Sequence, residues 1–313
     1  MLRAPSHQVA GHQAADGMLG PLIDDLGRFY KPLQGDERGS NEVAFYKSFS
    51  SNLKIPAHIR KFFPIFYGTQ VAEASDRSGL RPHLVLQDVT SGCINPSIMD
   101  IKIGSRTWPP LASEDYIEKC FKKDMETTSA QLGFRISGLK IYGNEESGFW
   151  KPKRKYVQTL SAEDVRLVLK KFVSSNAFAD SDSDLDCDFA SIVYRGSDGI
   201  LAQLLELKVW FEDQTLFHFY SCSILMMFEK EVALKGGKSG ALVKLVDFAH
   251  VEEGEGVIDH NFLGGLCSLI KFISEILTAP DRRPLRACLQ ESKKNQLSTD
   301  NDATEEQKDV NLH

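Results

Sequence analysis

Apolar positions along this chain recur with two different periods, and the switching between them lays out its elements. Gly27-Arg28-Phe29-Tyr30-Lys31-Pro32-Leu33 reads as a strand, and Phe45, Tyr46 and Phe49 then fall at helical spacing in a short helix from about Glu42 to Ser50. The turn formers from Asp76 to Gly79 precede His83-Leu84-Val85-Leu86, an apolar run with the length of a buried strand. Together these predict a small, strand-rich lobe. Thr90 to Pro96 is rich in turn formers and reads as a connector, so a domain boundary is expected near residue 90.

Beyond the connector, Ile98 to Ile103 is a strand whose apolar run is interrupted only by Asp100 and Lys102. Ser113 followed by Glu114 and Asp115 signals the start of a helix that reaches about Thr128, and Phe134 to Tyr142 alternates like a strand. Ser161 and Asp164 have the spacing of a capping pair ahead of Val165, Val168, Leu169 and Phe172 at helical spacing. Asp180 to Asp188 is dense in Asp and Ser and is expected to form a mobile insertion, because its charges repel and few apolar groups anchor it. A helix is predicted over Ile200 to Phe211. The runs Phe217 to Phe228 and Leu242 to Phe248 have the length of core strands and are expected to pair across the hairpin-like Lys235-Gly236-Gly237-Lys238. Asp259 to Leu277 closes the pattern as a helix with Phe262, Leu266, Leu269, Ile270, Ile273 and Leu277 on its apolar side, and from Pro280 the chain turns polar and is expected to be disordered.

No segment repeats, which excludes a solenoid or propeller. The 313 residues suffice for two lobes with a substantial core, and the net charge of -6 gives no global pull toward nucleic acid or an anionic membrane. A polyanionic ligand must therefore meet cations gathered locally. The six cysteines, Cys93, Cys120, Cys187, Cys222, Cys267 and Cys288, are scattered singly without the spacing of a zinc site, so reduced thiols are expected. No N-terminal apolar run suits a signal peptide and no stretch of about 18 apolar residues occurs, which predicts a soluble protein of the nucleus and cytoplasm. Arg282-Arg283-Pro284-Leu285-Arg286 is a basic cluster of the kind that serves nuclear import.

Phosphoryl transfer needs a cation on the donor phosphates, a carboxylate for a divalent metal, and groups that orient the acceptor hydroxyl. Lys31, on a strand, and Glu42, in the following helix, have the order of the lysine and glutamate that hold phosphates in protein kinases, although by themselves such charges are ordinarily solvated. Asp247-Phe248-Ala249-His250 follows the strand Val243-Lys244-Leu245-Val246 and is similar to a magnesium-binding Asp-Phe-Gly, whereas its bland reading is a turn that ends a strand. Asp100 and Lys102 are two apart and so share one strand face among apolar neighbours, which is costly unless they are paired with each other or used. Lys119, Lys122 and Lys123 lie on one helix, with 119 and 123 on one side of it.

Pro96-Ser97-Ile98-Met99-Asp100-Ile101-Lys102-Ile103-Gly104 closely resembles the Pro-x-x-x-Asp-x-Lys-x-Gly signature of the inositol phosphate kinases. His7 to His12, Phe29 to Gln34 and Lys244 to His250 agree with it, and the resemblance runs from about His7 to Leu277, most similar in detail to the plant inositol polyphosphate multikinases. It implies an α+β, two-lobed fold, protein-kinase-like or ATP-grasp-like, with antiparallel sheets and flanking helices. The implied organisation is an ATP-binding lobe over 1–89, a catalytic lobe over 90–279 with an inositol-binding helix at about 113–128 and the acidic insertion at 179–188, and a tail over 280–313.

The implied activity is ATP-dependent phosphorylation of inositol tris- and tetrakisphosphates at the 3-, 6- and 5-hydroxyls, toward the pentakisphosphate. An inositol hexakisphosphate kinase and a non-catalytic transcriptional or signalling scaffold are the alternatives. The resemblance assigns ATP to Lys31, Glu42, the hinge Gln87-Asp88-Val89, Asp100 and Asp247, with Mg2+ on Asp247. Lys102 becomes the catalytic lysine, and Asp100 either meets the ribose or assists the acceptor hydroxyl. Arg38, Lys102, Lys119, Lys123 and His250 become contacts to inositol phosphate. A monomer with transcription-factor or signalling partners is the further expectation. The phosphate-covering segment His7 to His12 has one glycine, so it departs from a Gly-x-Gly-x-x-Gly loop. The basic run Trp150 to Lys155 either adds charge to the inositol site or forms a solvated face, and Thr107 to Ser129 is too short for a multi-helix substrate lid, which implies an open site.

Overall fold

Two antiparallel sheets organise the chain, and the computed structural model describes residues 1–9, 19–179, 181–235 and 240–278. Four strands build the first: β1 (Leu22–Ile23), β2 (Arg28–Pro32), β3 (Phe66–Glu73) and β4 (Leu80–Gln87), in the order β1-β2-β4-β3. Period-two alternation divides their side chains. Tyr30 and Val85 meet Leu22 on one face, while Leu84 and Leu86 turn inward to the main core with Phe45, Tyr46 and Phe49 of helix α1 (Glu37–Ser51). Lys31 is opposite Leu84 and so shares the inward side.

Helix α1 begins five residues before the expected start, because the Asp36 carboxylate accepts from the Arg38 N–H at 3.1 Å as a true N-cap. Glu42 consequently lies in the second turn, aimed at β2. The edge strand β3 went unread in the sequence, since Tyr67 and Val71 are exposed and its pattern is not that of a buried strand. A single helical turn, α2 (Ala57–Arg60), seals the core through Ile59.

The second sheet has the order β10 (Leu242–Val246), β9 (Ser223–Glu229), β5 (Pro96–Ile103), β6 (Phe134–Tyr142) and β7 (Phe149–Trp150), with β5 at its centre between β6 and β9. Met99, Ile101 and Ile103 are fully buried on the core face, which leaves Ile98, Asp100 and Lys102 on the opposite face. Helix α3 (Glu114–Met125) starts at the Ser113 cap as the sequence indicated and leads through α4 (Ser129–Leu132) into β6. Gly133 closes α4 at φ 74°, where the Cα of Gly265 approaches its Cβ position to 3.0 Å, so a side chain there would meet α9 (His260–Thr278).

After β7 (Phe149–Trp150) and α5 (Arg154–Gln158), helix α6 (Ala162–Phe172) carries the complete capping box of Ser161 and Asp164. The described part of the acidic segment holds local contacts: Lys170 pairs with Asp182 at 2.7 Å, Asp186 accepts from the Ser175 N–H at 2.8 Å, and Cys187 is buried. A π-helical turn at Ala190–Tyr194 leads into α7 (Ile200–Asp213).

The run Phe217 to Phe228 is not one strand. It breaks at Ser221, whose φ of 55° turns the chain between β8 (Phe217–Phe219) and β9 (Ser223–Glu229). β8 pairs with β11 (Val251–Glu253), whereas β9 pairs with β5 and with β10 (Leu242–Val246), the neighbour expected for it. Between β9 and β10 stands α8 (Lys230–Leu234), and residues 236–239 of the expected hairpin lie outside the described residues, as do Asp180 and everything beyond Thr278, including Arg282 to Arg286. Helix α9 is long and apolar enough to cross a membrane by composition, yet Phe262, Leu266, Leu269, Phe272, Ile273 and Ile276 are buried in the core.

Candidate active site

A cleft of about 880 Å³ separates the two sheets. Its walls combine apolar Phe29, Leu86, Ile98 and Leu225 with the charged groups of Lys31, Glu42, Asp100, Lys102 and Asp247. An apolar slot with a few convergent polar groups is the form of a small-molecule site.

At its centre the Lys31 ammonium lies between two carboxylates, 2.9 Å from Glu42 and 2.7 Å from Asp247. Burial opposes charge on Lys31, but Asp247 and Glu42 outweigh it and hold its pKa well above the ordinary value. Glu42 is itself buried and also accepts from the Phe248 N–H at 3.2 Å, so one carboxylate joins β2, α1 and the Asp247-Phe248 turn. Asp247 takes the left-handed conformation at φ 67°, a strained choice for a residue other than glycine. The turn leaves half of its side chain accessible. Desolvation of the deep cleft opposes ionisation of Asp247, but Lys31 and Lys102 hold its carboxyl below the usual range.

Asp100 and Lys102 make no ion pair with each other within 4.0 Å, which rules out the mutual salt bridge as the reason for their spacing. Lys102 instead donates to the carbonyl oxygen of Ser221 at 2.5 Å and to its hydroxyl at 3.0 Å. Asp100 accepts from the Ser223 hydroxyl, while its Oδ1 is buried without a partner. Burial first, and then the charge of Asp247, push its carboxyl up to about 6 against the pull of Lys102.

The hinge candidates Gln87, Asp88 and Val89 line the same cleft. Asp88 turns its carboxylate back to the Thr90 N–H and hydroxyl at 2.9 and 2.7 Å, so its side chain shapes the turn that follows β4. Pro5, His7, Gln8 and Val9 form part of the wall, held by Lys140, which donates to the Ser6 carbonyl, and by Lys151, which donates to the Gln8 carbonyl. Gly11 and His12 lie outside the described residues.

Arg38 and His250 border the cleft as well. Asp36 binds the Arg38 guanidinium at 2.7 Å, and His250 shares a hydrogen bond of 3.0 Å with the Tyr116 hydroxyl. Burial and the positive charges of Lys102 and Arg38 lower the pKa of His250, which keeps the ring neutral. Lys119 and Lys123 do not line the cleft. Lys123 faces a basic group, and burial together with Arg135, Lys102 and Arg154 pushes its ammonium down to about 8; Lys119 is exposed. Within the run Trp150 to Lys155, Lys153, Arg154 and Lys155 are all exposed, and Arg154 acts on Lys123.

Sequence reasoning missed Ser221, Ser223, Tyr116 and Arg135. Arg135 forms a buried ion pair with Asp124, and Asp124 also accepts from Thr107 at 2.9 Å, which locks α3 beside the signature strand. Small hydroxyl residues in an apolar run give no periodic signal, so nothing local marks Ser221 or Ser223. No group of three His, Cys, Asp or Glu side chains forms a preorganised metal site among the described residues. An ionised, half-accessible Asp247 beside the cleft fits instead a hard cation that arrives with phosphate oxygens and keeps most of its water.

The inositol polyphosphate kinase family model matches residues 83–274. The chain is 61% identical to inositol polyphosphate multikinase beta of Arabidopsis thaliana over 90% of its own length and 96% of that protein, and 50% identical to the multikinase of Oryza sativa over 88% and 95%. Among solved structures, an inositol phosphate multikinase shares 54% identity and a TM-score of 0.65, covering 75% of this chain and 99% of the other. The S. cerevisiae inositol phosphate multikinase in complex with ADP and Mn2+, 21% identical, has a TM-score of 0.61 over 80% of this chain and 99% of its own.

Proposed function

The chain belongs to the inositol polyphosphate kinase family and is an inositol phosphate kinase, and from that premise we propose that it phosphorylates inositol tris- and tetrakisphosphates at the 3-, 6- and 5-hydroxyls, with Mg2+ as the accompanying cation. The observation that carries the site assignment is the pair of ion pairs that Lys31 makes with Glu42 and Asp247 in a cleft that also holds Asp100 and Lys102. The yeast multikinase was solved with ADP and Mn2+, which supports a nucleotide with a divalent cation here.

Lys31 remains anchored on Glu42 and directs a free N–H donor to the donor phosphates. Asp247 would hold the cation, which neutralises charge on the phosphate oxygens when bound. Lys102, fixed on the facing strand, places its ammonium on the transferring group, where charge stabilisation lowers the barrier. Asp100 serves the acceptor hydroxyl: a carboxyl near pH 6 with an unpartnered buried oxygen is suited to take a proton at neutral pH. Arg38 and Lys123 supply local positive charge for a polyanionic acceptor on a net-negative chain.

The test is incubation with ATP, Mg2+ and a panel of defined inositol phosphates, with products separated by chromatography. Transfer to tris- and tetrakisphosphates is expected. Conversion of hexakisphosphate alone, or no transfer, overturns the proposal.

A further inference from the structure

The serine that breaks the Phe217 to Phe228 run stands where the signature lysine ends. Ser221 is one of five residues other than glycine with positive φ among the described residues, and with Asp247 it is one of two such residues that line the cleft. Its flanks are fixed on three sides. The Tyr220 N–H donates to the His250 carbonyl at 3.1 Å, the Ile103 N–H donates to the Cys222 carbonyl at 3.1 Å, and Ser223 is in register with Lys102 across the β5–β9 ladder. Between these anchors the left-handed turn presents both the carbonyl oxygen and the hydroxyl of Ser221 to the Lys102 ammonium, at 2.5 and 3.0 Å.

We propose that Ser221 is a positioning residue for phosphoryl transfer: its left-handed turn forms a two-oxygen seat that holds the Lys102 ammonium at the place where the transferring phosphoryl group arrives. A lysine has four rotatable side-chain bonds and three donors. Two donors seated on Ser221 leave the third directed into the cleft, and the side chain no longer has to be ordered during the transfer step. Backbone strain in an otherwise well-anchored strand is the form that functional constraint takes. The neighbouring Ser223 holds Asp100, so one short segment orients both charged residues of the signature.

The inference rests on Lys102 acting in the transfer step, and the variants separate the two ideas. Ser221→Gly keeps the carbonyl, removes the hydroxyl, and adopts positive φ without a Cβ penalty, so its melting temperature should equal or exceed that of the parent. Its kcat should fall by about ten-fold, the scale of one lost hydrogen bond to a charged group, while the KM for ATP stays within about two-fold. Ser221→Asn tolerates the left-handed conformation and supplies an oxygen, and it should recover kcat to within about three-fold of the parent. In a Lys102→Arg background, Ser221→Gly should change kcat by less than about two-fold, because the two residues act as a unit. An unchanged kcat in Ser221→Gly, a matching rise in the KM for ATP, or an undiminished loss in the Lys102→Arg background would overturn the seat. A Lys102→Met enzyme that still turns over would instead overturn the role of Lys102 itself.

Discussion

Glu42→Gln is the substitution that most directly tests how the cleft is held together. The change is nearly isosteric, so no cavity opens and any effect belongs to the charge. Glu42 has only 5% of its side chain exposed and Lys31 27%, so the pair is barely screened. The amide oxygen can still accept from the Phe248 N–H, but the ion pair with Lys31 is reduced to a bond from a charged donor to a neutral acceptor. That difference is worth about 1.5–3 kcal/mol. For a domain of this size each kcal/mol corresponds to roughly 2–4 °C, so the melting temperature should fall by about 3–12 °C at neutral pH. Functionally, Lys31 would be left to Asp247 alone, which draws the ammonium away from the donor phosphates and onto the carboxylate assigned to the metal. The KM for ATP should rise by about ten-fold, with a steeper requirement for Mg2+ and an unchanged KM for the inositol phosphate. Calorimetry and steady-state kinetics on the same preparation supply both readouts. A melting temperature within about 1 °C of the parent, together with an unchanged KM for ATP, would refute the view that Glu42 anchors Lys31.

Three other expectations are independent of it. Asp100 has its pKa raised to about 6 from an unfolded value near 3.8, so its ionisation opposes folding: the stability it contributes is complete below pH 3.8 and is lost as pH rises through 6. Asp100→Asn should therefore be inactive yet more stable than the parent at pH 7.5, by up to about 3 kcal/mol, with the gap closing below about pH 4 in denaturant titrations; equal stabilities at both pH values would count against it. Arg135→Met leaves the buried Asp124 carboxylate without its cation and should destabilise by about 3–5 kcal/mol, a loss that chemical unfolding would miss if the pair were solvated. Lys123→Ala should raise the KM for inositol phosphate by about ten-fold and leave that for ATP alone, and an effect on ATP only would move the acceptor site away from α3.

The sequence by itself determined what is local. Period-two spacing placed Asp100 and Lys102 on one face of β5, the Ser113 cap and the Ser161–Asp164 box started α3 and α6, and the signature motif identified the family. Each rests on side chains within a few positions of one another, where strand pleat and cap geometry follow from residue type alone. Only the tertiary structure decided what spans the chain. Lys31 and Asp247 are 216 positions apart, and no periodicity predicts that the two sheets bring them to 2.7 Å. Nor does it predict that Lys102 would find Ser221 rather than Asp100, since a serine adopts φ 55° only where a ladder on either side of it forces the turn. The same limit explains the helix lysines: i,i+4 spacing puts Lys119 and Lys123 on one side of α3, but tertiary packing half-buries Lys123 beside Arg135 and Lys102 and leaves Lys119 exposed.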